Sequence, residues 1–180
     1  MAIATAADGR DVAGFDVPET VRLKPEETEL RLNGAHVRSS FLRPVTLFAL
    51  YTFAPAAGFE ALVADGKPKR VAVTILRPEF SAERFRSGWQ EQFAQALAED
   101  ERLALREEIA AFVETFETLR RGEQLHFDFV PVEGVRFHVR RSLKRTIPGD
   151  AFARALLGVW LGPRSVDTEL RRALLGSGAQ

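Results

Sequence analysis

The chain has 180 residues, with 25 Lys+Arg against 25 Asp+Glu, 46% hydrophobic residues and no cysteine. That length supports one domain with a sizeable core rather than two. The neutral balance excludes the net basic character of a nucleic-acid binder, and the absence of cysteine excludes disulfides and thiolate chemistry. Phe supplies 14 residues against 1 Tyr and 2 Trp, a composition for a large interior with few polar handles.

Residues 1–14 (MAIATAADGRDVAG) are small and polar and read as a flexible N-terminal tail. Phe15–Leu23 reads as extended. Thr28–Asn33 alternates apolar and charged residues, as a half-buried strand does, and Asn33-Gly34 reads as a turn into Ala35–Phe41. Val45–Phe53 (VTLFALYTF) is apolar on both faces, the pattern of a central strand. Ala56–Asp65 reads as a short helix and Lys69–Leu76 as a second two-sided strand. Ser81 is the expected N-cap of a long helix with Phe85, Trp89, Phe93 and Leu97 on one face. Leu105, Ile109, Phe112, Phe116 and Leu119 continue at helical spacing and predict a second long helix, with Arg120 and Arg121 at its end and Gly122 as its C-cap.

Leu125–Val130 and Val135–Arg141 predict a hairpin. Its apolar residues share a face only if Phe127 opposes Phe137 and His126 opposes His138, through a three-residue loop with Gly134 at the bulge. Pro148-Gly149 is a turn. Asp150 caps a helix carrying Phe152, Leu156 and Trp160, and Asp167 caps a last one with Leu170 and Leu174 inward. Strands outnumber the crossovers of a doubly wound sheet. The order predicts an α+β fold, a large antiparallel sheet with a layer of helices on one face.

Few residues announce chemistry. There is no nucleophile elbow, phosphate-cradling glycine loop or His-Glu-x-x-His. His126 and His138 face each other on the polar side of the hairpin, but local sequence supplies no third metal ligand. A solvent-facing pair is the favoured reading, and neither a metal nor a cofactor is expected. The acidic pairs near Glu99 and Glu107 and the basic run Arg140–Arg145 read as solvated surface. Arg38, beside the most apolar strand, is either an ordinary surface arginine or one that needs an anionic or carbonyl partner.

Leu32–Arg38 (LNGAHVR), Ala49–Tyr51 (ALY), Lys69–Leu76 (KRVAVTIL), Phe80–Phe85 (FSAERF), Gly149–Ala155 (GDAFARA), Leu157–Gly162 (LGVWLG) and Leu174–Gly176 (LLG) together resemble the chalcone-isomerase-like family. The resemblance runs from Phe15 to Gly176 and implies one domain over 15–176, with a cleft between sheet and helices. It also implies that Arg38 is the cleft arginine, which in true isomerases polarises the substrate ketone, aided by a threonine that falls on Thr46. Other polar isomerase positions fall on Phe80, Ser87 and Val159, the last beside Trp160. Phe80 and Val159 have no side-chain hydrogen-bonding group.

The resemblance therefore implies non-catalytic binding of a small apolar molecule with a polar or carboxylate head, fatty-acid-like, in a cleft formed by Arg38, Thr46, Phe80, Ser87, Val159 and Trp160. The alternative is an isomerase or lyase acting on an enone-like substrate, with Arg38 as electrophile and Thr46 as its helper. Bacterial relatives, often made with signal peptides, imply a periplasmic protein with that signal removed; the alternative is cytoplasmic. The expected partner is a small amphipathic molecule, not nucleic acid. No apolar run approaches the ~20 residues of a transmembrane segment.

Overall fold

The computed structural model describes residues 9–176. In chain order the strands and helices are β1 (Gly9–Val12), β2 (Phe15–Pro18), β3 (Thr20–Leu23), β4 (Thr28–Ser40), β5 (Arg43–Thr52), α1 (Phe59–Ala64), β6 (Lys69–Ile75), β7 (Glu79–Phe80), α2 (Ala82–Ala96), α3 (Glu99–Ala104) and α4 (Arg106–Val113). There follow β8 (Leu119–Arg120), β9 (Gln124–Val130), β10 (Gly134–Val139), β11 (Ser142–Ile147), α5 (Asp150–Leu161) and α6 (Thr168–Leu174). Seven strands form one antiparallel sheet in the order β11-β10-β9-β6-β5-β4-β3. The two strands with apolar residues on both faces, β5 and β6, lie side by side, and β6 is central. Residues apolar on both faces need cover on both.

On one face that cover is helical. Phe48, Leu50, Val71, Val73, Phe127 and Phe137 meet Phe85, Trp89 and Phe93 of α2, Phe112 of α4 and Phe152, Leu156 and Trp160 of α5 in a single core. The other face carries a smaller core of Leu30, Leu32, Leu47, Ala49 and Tyr51 with Val17 of β2 and Leu23 of β3. The sheet curls: Arg136 in β10 donates hydrogen bonds to the Lys24 carbonyl and the Glu26 carboxylate, beyond the opposite edge strand.

The hairpin register is Phe127↔Phe137 and His126↔His138, with Gly134↔Val130 closing a three-residue loop at φ +117°. The Ser81 side chain accepts from Arg84 N, and the Asp167 side chain from Leu170 N, as caps do.

Four expectations need correction. Gly9–Val12, placed in the tail, pairs with Phe15–Pro18 as a hairpin. Asn33-Gly34 is not a turn but a bulge in one continuous strand, between the pairs Leu32↔Tyr51 and Gly34↔Leu50. The helix predicted from Leu105 to Leu119 stops at Val113, and Leu119 and Arg120 pair with β7 instead. Phe116 lies beyond the helix yet stacks on Phe85 at 5.0 Å and packs at a tilt on Phe137 at 4.8 Å, so the apolar spacing outlives the helix that it predicts. Gly122, at φ +85°, turns the chain from β8 into β9 rather than capping a helix.

Candidate functional site

The β4–β5 ladder sets Arg38 opposite Thr46, with Phe48 two residues on along the same face. Across from them, Arg84, Phe85, Gly88, Trp89 and Gln92 recur at i, i+4 and i, i+3 on α2 and present one stripe to the sheet. Between these walls lies a pocket of about 290 Å³, floored by Val73, Leu125, Phe127 and Trp160. Small-molecule sites run from about 300 Å³ upward, so this is a compact one. Its apolar surface is aromatic: Trp160 lies 5.5 Å from Trp89 and 5.2 Å from Phe127, and Phe80 lies 4.3 Å from Phe85.

The polar end is built by the sheet edge. Arg38 is half-buried, its Cζ 5.8 Å from the Phe48 ring centre. Its Nε sits 2.9 Å from Asp167 Oδ2, an ion pair without hydrogen-bond alignment. None of its N–H groups makes a hydrogen bond among the described residues. Asp167 is thus both the N-cap of α6 and the counter-charge of Arg38. Thr46 is 8% exposed, and its hydroxyl has no hydrogen-bond partner among the described residues. The pocket therefore has a donor-rich head with unused capacity and an aromatic body.

Arg38, Thr46, Phe80 and Trp160 all line this pocket. Ser87 and Val159, expected in its wall, do not. Ser87 is exposed and donates to the carbonyl of Glu83 in its own helix at 3.1 Å. Val159 is buried in the core of α5. Successive helical residues diverge by about a quarter turn or more, so Gly88 and Trp160 reach the pocket where their neighbours point elsewhere. Arg84, Gln92 and Ser39 were not anticipated. The i, i+4 spacing of α2 that marks Phe85 and Trp89 also marks Arg84 and Gly88.

The histidine pair belongs to the opposite face of the sheet. It is half-buried rather than solvent-facing, beside Arg70 and Asp128. Among the described residues no group of three His, Asp or Glu side chains is arranged to hold a metal ion. Burial first, and the Arg70 guanidinium second, hold the His126 pKa down to about 4; burial also lowers that of His138. An unfolded histidine titrates near 6.5, so above that pH both states are neutral and nothing is lost. As the pH falls from there toward 4, the unfolded chain takes up a proton that folded His126 refuses, and stability declines by about 3 kcal/mol in total. About 2 kcal/mol of this is expected between pH 7 and 5, before most carboxylates titrate. Urea midpoints at the two pH values measure it. A His126→Gln protein should lose much less over that interval, and an equal loss would assign the effect elsewhere.

A family model described as chalcone isomerase-like matches residues 9–176. No curated protein matches the chain. Among solved structures, the crystal structure of a fatty-acid binding protein of Arabidopsis thaliana superposes with a TM-score of 0.67 at 14% identity, covering 88% of this chain and 97% of that one. At that identity the likeness is one of fold. Since the match extends over all the described residues, from the β1 hairpin past the end of α6, the chain belongs to the chalcone isomerase-like family.

Proposed function

We propose that the chain binds, without turning it over, a small apolar molecule bearing a carboxylate or similar head, fatty-acid-like in outline. One observation carries the reading. A half-exposed guanidinium with no hydrogen bond among the described residues and the unpartnered hydroxyl of Thr46, which opens onto the same pocket, stand together at its head, against an aromatic body. Both donors face the pocket with unused hydrogen-bonding capacity, and a carboxylate oxygen satisfies both through charge-assisted bonds while the aromatic walls take the apolar body. The likeness in fold to the Arabidopsis fatty-acid binding protein supports the same class. Phe80, packed on Phe85, brings no hydrogen-bonding group to the pocket mouth, which weighs against ordered acid–base chemistry there.

Titration calorimetry with a series of free fatty acids tests this, together with mass spectrometry of organic extracts from the purified protein. Arg38→Ala is expected to weaken carboxylate binding by about 1.5–3 kcal/mol, the range for hydrogen bonds to a charged group. Stability should change far less, since the Arg38–Asp167 pair is substantially exposed on both sides and such pairs contribute about 1 kcal/mol at most. Equal affinity of parent and variant overturns the role of Arg38. Chalcone ring closure well above the spontaneous rate overturns the non-catalytic reading.

A further inference from the structure

Phe41 and Leu42 occupy the two central positions of the β4–β5 turn. Ser40 pairs with Arg43, and the two residues between have φ of +48° and +64°. Such turns select Asn-Gly, because bulky side chains are strained at positive φ. Here the two bulky side chains gain no packing in return: each is 98% exposed. The turn also projects. The last β5–β6 pair is Thr46↔Ile75, and Leu76 N bonds the Val45 carbonyl, so the tip reaches three to four residues, roughly 10 Å, past the end of β6.

The surface around that end is basic. Arg121 N bonds the Pro78 carbonyl and Arg140 N bonds the Gln124 carbonyl, which stacks those turns at the same end of the sheet. Arg43, Arg77, Arg84, Arg121 and Arg141 have no ion-pair partner among the described residues. Glu79 and Glu83 are the unpaired carboxylates beside them. The pocket wall includes Ser39, Ser40, Val45 and Thr46 of the same hairpin, so its mouth opens alongside the tip.

We infer that this end docks on anionic membrane surfaces: Phe41 and Leu42 enter the headgroup–acyl boundary, unpaired arginines meet the lipid phosphates, and the pocket mouth faces the bilayer. A projecting apolar dipeptide within a cationic field complements a surface that is anionic outside and apolar beneath. The inference stands whether or not the pocket takes the ligand class proposed above.

Cosedimentation with vesicles of phosphatidylcholine, alone or with one-third phosphatidylglycerol, tests it. The parent is expected to bind the anionic vesicles at least tenfold more tightly than the neutral ones, and to release in high salt, where the arginine contribution is screened. The double variant Phe41→Asn, Leu42→Gly installs the residues that the turn prefers, so it should melt no lower than the parent while losing tenfold or more in vesicle affinity. Failure of the parent to bind anionic vesicles, including the case where the tip proves to serve a protein partner instead, overturns the inference. So does a double variant that binds vesicles as the parent does. Fatty-acid titration of the double variant in solution separates the two proposals: it should bind as the parent does, and its loss would count against the pocket reading rather than the docking surface.

Discussion

Replacing Gly34 with Ala is expected to destabilise the protein by about 3 kcal/mol or more, at the upper end of what overpacking costs. The bulge at Asn33 lets β4 change faces and brings it against the end of α6. A Cβ at position 34 would sit 2.0 Å from the Ala173 carbonyl oxygen and 2.7 Å from that of Leu174. Both are backbone atoms, so no side-chain rotation relieves the contact. The helix itself would have to shift, against one further tie: Asn33 Nδ2 donates to Leu174 O at 2.7 Å, while its bond to Ala56 O at 2.9 Å fixes the bulge on the other side. Asp167 at the other end of α6 would move with it, so the Arg38 pair should loosen too. The control is Gly88→Ala. A Cβ there meets nothing within 4 Å, and the helical position should gain up to about 1 kcal/mol. Chemical unfolding followed by tryptophan fluorescence reads both. A Gly34→Ala midpoint within error of the parent would mean that the close approach is not rigid.

Much of the sheet was legible because its signals are periodic. Alternation predicts the Phe127↔Phe137 and His126↔His138 register, and two-sided apolar runs identify β5 and β6 as interior strands. The misreadings share a cause: one local pattern serves two structures. Asn-Gly marks a tight turn more often than a bulge, and only the approach of α6, over 130 residues away, selects the bulge. Four-residue apolar spacing cannot tell a helix from a helix followed by a turn that still feeds the same core, as at Phe116. In β11 the run Ser142–Arg145 is exposed, as an edge strand permits, so it carries no alternation to read. At the pocket, Arg38 and Thr46 were legible through resemblance, but Asp167 was legible only as a helix cap. Nothing local in sequence ties it to a residue more than 120 positions earlier.

Removing the Asp128 carboxylate is expected to cost about 3–5 kcal/mol, the largest effect of any single polar change here. Asp128 alternates with Phe127 and Phe129 along β9, where the pattern alone suggests a solvated side chain. The curled sheet and the β3–β4 turn bury it completely instead. Arg70, directly opposite on β6, grips it with two hydrogen bonds, from Nε at 2.5 Å and from Nη2 at 2.7 Å. His138 Nδ1, which is buried and makes no hydrogen bond, lies 3.6 Å from the same carboxylate. Asp128→Ala strands the guanidinium of Arg70, 12% exposed, without a counter-charge, and the uncompensated burial is what destabilises. It also removes the negative charge that favours protonation of both histidines, so their folded pKa values fall further and the acid loss of stability, which still begins near pH 6.5, extends to lower pH. The pair as a whole is a different matter. Two desolvated ions gain little over apolar residues of similar size, so Arg70→Met with Asp128→Leu should recover most of the loss. Urea unfolding of the parent, the single variants and the double variant closes the cycle. A loss below about 1 kcal/mol in Asp128→Ala would show that water reaches the site and screens it as it does surface pairs. A double variant no more stable than the single one would show that the carboxylate holds the curl of the sheet by more than its partnership with Arg70.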